Sequence, residues 1–165
     1  YDSGGNRQIA ATAVKRDDIV LIPAFGTTLE IEQSLKNSGI NTDSEDFRKH
    51  YDTTCPFVSK VWNRGESLGL EGYTIIIHGK FCHEETQATH SHTKEHTKTL
   101  VVLNCDEARM VHDFIVGDMD IPAFSQHFGG KWSEDFDPTC DLERVAVVNQ
   151  TTMLAEETQE VAAIM

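Results

Sequence analysis

What the chain lacks narrows its function first. It has no C-x-x-C pair: the four cysteines, Cys55, Cys82, Cys105 and Cys140, stand singly and far apart. Closely spaced cysteine pairs build zinc knuckles and many disulfide frameworks, so neither is supported here. Positive charge is scarce as well. Fourteen lysines and arginines against twenty-seven aspartates and glutamates give a formal net charge of −13, which repels phosphate backbones and leaves no basic stripe for nucleic acid. No apolar run approaches the ~18–20 residues of a membrane-spanning helix, and no signal-peptide pattern opens the chain. Low-complexity segments and obvious internal repeats are missing too. There is no initiator methionine, and Glu156 to Met165 still reads as helix with no stop signal beyond it. Both ends therefore read as cut, and a soluble internal piece of a longer protein is expected.

What is present is enough for a core. Of 165 residues, 39% are hydrophobic, which suits one or two compact domains. Residues 18–22 form a short apolar run, read as a strand, before a loop at Pro23-Ala24-Phe25-Gly26, and a helical pattern follows through Leu29, Ile31 and Leu35 to a stop near Gly39. A polar stretch, 41–50, leads to Tyr51-Asp52-Thr53-Thr54-Cys55-Pro56. Pro56 suits a first helical turn, so a helix is predicted over 56–68 with Cys55 just before it. Strands are predicted over 73–77, 100–103 and 144–148, where β-branched residues cluster, and a helix over 107–116. Residues 117–141 read as loop-rich. Strands alternating with helices argue for an α/β fold, parallel sheets flanked by helices. Ligands of such sheets gather beyond the carboxyl ends of the strands, where three polar clusters fall: Thr53–Cys55, His83–Glu85 and Asn149–Thr152.

Each cluster has a chemical and a plain reading. Cys55 at a helix N-terminus sits where the helix dipole favours a thiolate, the form that binds iron; it also suits a small buried residue. His83 and Glu85 offer an anion contact and a proton carrier, or simply a solvated turn. Thr151 and Thr152 can bind a phosphate or orient a proton, and either also suits a helix N-cap. His90, His92 and His96, with His78 and Cys82 upstream, carry two readings, a zinc site or a polar surface loop.

Four blocks taken in order carry a resemblance. They are Asp52-Thr53-Thr54-Cys55-Pro56-Phe57-Val58-Ser59-Lys60-Val61-Trp62; Ile77-His78-Gly79-Lys80 with His83-Glu84-Glu85-Thr86; Phe136-Asp137-Pro138; and Asn149-Gln150-Thr151-Thr152-Met153-Leu154 with Glu157-Thr158. Together they resemble the 4-hydroxy-3-methylbut-2-enyl diphosphate reductase family. The resemblance implies a three-domain α/β architecture around a central [4Fe–4S] cluster, with residues 1–54 the end of the first domain and 55–165 a truncated second one. It implies Cys55 as one of three cluster ligands, the other two outside this chain, Glu85 as proton donor, and His83 and Thr151 as substrate contacts. It also implies an allylic diphosphate substrate, ferredoxin or flavodoxin as electron donor, and a bacterial cytoplasm or plastid stroma as location. Phe25 departs from the pattern: other members carry there a histidine that reaches the diphosphate, and Thr27 or Thr28 are polar groups nearby.

Two other readings stand beside this one. The chain could be a non-catalytic α/β module that binds a phosphate ligand without a complete cluster site. It could also be a zinc hydrolase using Cys82, His83 and the histidine cluster with Glu85 as base, which leaves the Cys55 and Thr151 blocks without a purpose.

Overall fold

A computed structural model of the chain describes residues 14–165. Its centre is a parallel sheet of order β2-β1-β3, formed by β1 (Thr74–His78), β2 (Thr99–Val102) and β3 (Val145–Asn149). The β-branched runs suit a pleated surface. Every residue of β1 and β2 is buried, as expected of parallel strands covered on both faces. The register sets Ile76 opposite Leu100 on one side and Val147 on the other. Side chains alternate along a strand, so Ile76, Leu100, Val102 and Val147 face one helical layer, and Ile75, Ile77, Val101 and Val148 face the other.

The first layer holds α5 (Cys105–Val116), α6 (Ile121–Phe128) and α7 (Ala155–Ile164), joined in one apolar core by Val111, Phe124, Phe128 and Val161. The second holds α3 (Pro56–Leu70) and α4 (Glu84–Lys94). A smaller cluster of Ile22, Leu35, Ile40 and Phe47 organises α1 (Leu29–Asn37) and α2 (Glu45–His50) ahead of the sheet.

Four sequence expectations change. Residues 18–22 do not form a strand: a single bridge pairs Ile22 with Asp52, and Ile19 and Leu21 are exposed. A strand needs a neighbour along its length, and among the described residues only the Tyr51–Thr53 segment lies alongside. The polar stretch before Tyr51 contains α2, whose N-cap Ser44 accepts the Phe47 N–H at 3.1 Å; six residues are too few for a periodic signal. The stretch read as loop-rich contains α6. Asp120 caps it by accepting the Ala123 N–H at 2.9 Å, and Pro122, which reads as a breaker, sits in its first turn. Finally, the histidine-rich segment is helix rather than surface loop, with Glu85, Thr86, Ala88, Thr89, Ser91 and Thr93 buried along α4.

Candidate functional site

Three hydrogen bonds deliver Cys55 to its place. The Ile22 N–H donates to the Tyr51 carbonyl (2.8 Å), the Thr53 N–H to the Ile22 carbonyl (3.0 Å) and the Cys55 N–H to the Ala24 carbonyl (2.8 Å). Cys55 is the N-cap of α3, with Pro56 in the first turn, and its sulfur makes no capping bond. The half-buried thiol lines a cleft of about 710 Å³ together with Lys60, Val61 and Arg64 of α3 and with Asn149 and Thr151 beyond β3.

Glu85 and Thr151 meet across the sheet. Because β1 and β3 are neighbours and parallel, the chain leaves both at the same edge, and the Gln150 N–H donates to the His78 carbonyl at 2.9 Å. After β1 a turn closes by the His83 N–H donating to the Lys80 carbonyl (2.9 Å), and α4 begins. Glu85, in its first turn, is 4% exposed. Its carboxylate accepts the Thr151 N–H at 2.5 Å on one oxygen and the Thr151 hydroxyl at 3.0 Å on the other. A buried carboxylate needs such donors. Thr151 itself is exposed and faces the cleft, so the buried acid reaches the cleft through this threonine.

His83 caps α4, its Nδ1 accepting the Glu85 N–H at 3.1 Å. A neutral ring accepting at Nδ1 carries its proton on Nε2, which is left as a donor. Phe25 lies edge-on to this imidazole, ring centroids 6.5 Å apart. Of the two threonines that follow Phe25, Thr28 caps α1 with its hydroxyl, and Thr27 is buried, its backbone carbonyl contacting His92 Nε2 at 3.1 Å.

Gln150 is the residue that sequence reasoning missed. It is buried, and its Oε1 accepts from the Lys80 N–H and the Thr86 hydroxyl, both at 3.1 Å, while its Nε2 donates to the Thr152 hydroxyl oxygen at 2.7 Å. One side chain thus ties the ends of β1 and β3 to α4. Gly79 makes room for it: a Cβ there would stand 2.7 Å from the Thr86 hydroxyl and 3.0 Å from Gln150 Cβ. The sequence signal was only its place inside a polar block. Thr151 and Thr152 do not cap α7. Leu154 does, without a side-chain bond, because both hydroxyls are already turned to Glu85 and Gln150.

Behind His83 lies a second cavity of about 330 Å³, lined by Lys80, His83, Gln150, Thr152 and Glu157 with Met153 and Leu154. His78, fully buried at the end of β1, contacts the Thr158 hydroxyl through Nδ1 at 2.9 Å. The other histidines disperse. His90 binds the Thr99 hydroxyl (2.8 Å), and burial pushes it down to about 4, with Lys94 adding to the shift. His92 stacks on Trp62, centroids 3.8 Å apart, and burial lowers it too. Among the described residues, no three His, Cys, Asp or Glu side chains converge on a metal site. The zinc reading therefore loses its ligand set among these residues.

A sequence model of the family described as LytB protein matches residues 5–165. Among curated relatives, the 4-hydroxy-3-methylbut-2-enyl diphosphate reductase of Gloeothece citriformis (strain PCC 7424) is 44% identical over 153 residues, which is 93% of this chain and 35% of the relative. The protein of that name from Synechococcus sp. (strain CC9902) is 46% identical over 150 residues, 91% of this chain and 35% of the relative. The chain thus spans about a third of the length of the curated relatives it matches. A solved structure of (E)-4-hydroxy-3-methyl-but-2-enyl diphosphate reductase, described as the terminal enzyme of the non-mevalonate pathway, shares the fold with a TM-score of 0.52 and 21% identity. That match covers 83% of this chain and 46% of the other.

Proposed function

The chain belongs to the LytB protein family, and from that footing we propose that it is part of a reductase that removes the hydroxyl group of 4-hydroxy-3-methylbut-2-enyl diphosphate. The reaction takes up two electrons and two protons, releases one water and yields isopentenyl and dimethylallyl diphosphates, an isoprenoid-forming step. The observation that carries this reading is the buried Glu85 carboxylate joined to the exposed Thr151 hydroxyl beside a cleft that reaches Cys55.

The leaving group of such a reaction is hydroxide, a poor one until it is protonated. Glu85 holds that proton. With Glu85 protonated, its O–H donates to Thr151 Oγ1, and the threonine hydroxyl turns its own hydrogen toward the departing oxygen. A positioned acid of this kind contributes on the order of 10²–10⁴-fold in rate. The Thr151 amide N–H fixes the carboxylate so that the relay keeps its geometry. His83 presents Nε2–H to the substrate from a ring locked by its cap on α4.

Cys55 fits a cluster ligand, since its half-buried sulfur has no capping bond and faces the same cleft as Thr151. A [4Fe–4S] cluster bound there would supply Lewis acidity and electrons; its other two thiolates would come from outside this chain. The same proposal includes three α/β domains around the cluster with a boundary near Cys55, a small redox protein such as ferredoxin or flavodoxin as donor, and a cytoplasmic or plastid-stroma setting. Separate apolar clusters before and after Cys55 support the boundary. No helix among the described residues is long and apolar enough to cross a membrane.

The test is Glu85→Gln in the protein extended to the length of its relatives. Turnover should fall by at least about 10²-fold with the visible absorbance of the cluster unchanged. Near-normal turnover removes Glu85 from the proton-donor role.

A further inference from the structure

We propose that His78 is a positioning residue for the proton relay, holding both ends of the segment 150–158 that carries Thr151; the inference rests on the reading of Thr151 as the relay's second member.

His78 ends β1 two places beyond Ile76, so its ring turns toward the same layer, that of α5 to α7. Its two bonds reach one segment. The backbone carbonyl accepts the Gln150 N–H at 2.9 Å, and the ring meets the Thr158 hydroxyl through Nδ1, also at 2.9 Å. Thr151 lies between these anchors. Gln150 ties the start of the segment to Thr152 and to the Met153 N–H, but α7 begins after Leu154 without a side-chain cap. Among the described residues, the Thr158 hydroxyl makes the side-chain hydrogen bond that joins α7 to the sheet. Glu85 is fixed in the first turn of α4, so the distance over which its proton passes is set by where this segment holds Thr151.

The other ring nitrogen argues against a role in the core alone. Nε2 is buried without a hydrogen-bond partner and lies 4.0 Å from the Glu157 carboxylate. A buried polar atom left unpaired destabilises a fold, and another isoleucine would continue the apolar run of β1 without that penalty. What an apolar side chain cannot supply is direction. A carboxylate only accepts, so the ring proton sits on Nε2 and Nδ1 accepts the Thr158 O–H. Burial lowers the ring's pKa, against the Glu157 carboxylate and the Leu103 carbonyl, and so favours this neutral form. The hydroxyl's other neighbour, the Leu154 carbonyl at 3.2 Å, already accepts the Thr158 N–H at 3.0 Å.

The test is steady-state turnover, normalised to bound cluster, in the protein extended to the length of its relatives. His78→Leu removes both ring nitrogens, and Thr158→Val removes the far end of the same bond. Each should lower kcat by about tenfold or more while KM stays within a few-fold, the pattern of a displaced proton donor. In a Thr151→Val background, neither change should slow turnover further. Unchanged kcat in Thr158→Val, or a change in KM alone, overturns the inference even should His78→Leu fail to fold. Losses that multiply with that of Thr151→Val overturn it too. If Thr151→Val itself turns over normally, the relay reading fails and this inference with it; if Thr151→Val is slow and Thr158→Val is not, only the role of His78 falls.

Discussion

The two layers covering the sheet are built from opposite materials. On one side, Phe124 packs against Phe114, Phe128 and Trp132 with ring centroids 4.5, 4.7 and 5.8 Å apart. On the other, α4 buries hydroxyls and a carboxylate, nearly all with partners: Glu85 with Thr151, Thr86 with Gln150, Thr89 with Trp62, Ser91 with Glu30. Only the Thr93 hydroxyl lacks one, where α3 comes so close that a Cβ on Gly65 would stand 2.8 Å from it. Apolar burial is non-directional and stabilises by area, whereas hydrogen bonds fix direction. The first layer therefore holds the fold, and the second holds the site.

Substitutions on the two sides should separate these roles. Phe124→Ala should be the most damaging to the fold, costing about 3–5 kcal/mol in urea denaturation, with the Glu85–Thr151 pair unaffected in what remains folded. A loss below about 1 kcal/mol would mean that the aromatic layer is not the stabilising one. Next comes Thr86→Val, which deprives Gln150 Oε1 of a buried donor; about 1–3 kcal/mol of stability should go, and turnover of the extended protein should fall with it because Gln150 ties the end of β3, which carries Thr151, to α4. If stability drops and turnover does not, the polar layer is structural only. The smallest effect is a pH slope. Burial holds His90 near a value of about 4 against an ordinary 6.5, so between these values the unfolded chain binds a proton that the folded chain does not. Stability should be full above 6.5 and fall as pH drops through that window. His90→Asn should flatten the slope. Glu30 acts in the next window down: burial alone would raise it, but Lys94 and Ser91 hold it at about 2 against 4.5, so its contribution is lost between those values as pH falls further.

The sheet was legible because Ile75–Ile77, Leu100–Val102 and Val145–Val148 are β-branched or leucine-rich runs long enough to carry a signal, and Cys55 before Pro56 marked a helix start in plain sight. Helix α4 was hidden because its buried face is made of threonine, serine and glutamate, so hydropathy reports a surface. Helix α6 was hidden by Pro122, which ends a helix in the middle but is tolerated at its start. Glu85, His83 and Thr151 stood out as polar blocks after strands. Their joining, and the part played by Gln150, depended on β1 and β3 being neighbours, a long-range fact that no local window contains.

The most direct test of the account is a double-mutant cycle on turnover in the extended protein, with Glu85→Gln, Thr151→Val and the pair. If Glu85 delivers its proton through Thr151, the double variant should be no slower than the slower single variant, since each change breaks the same relay. Losses that multiply would mean that the two residues act independently, and the relay across β1 and β3 would be wrong.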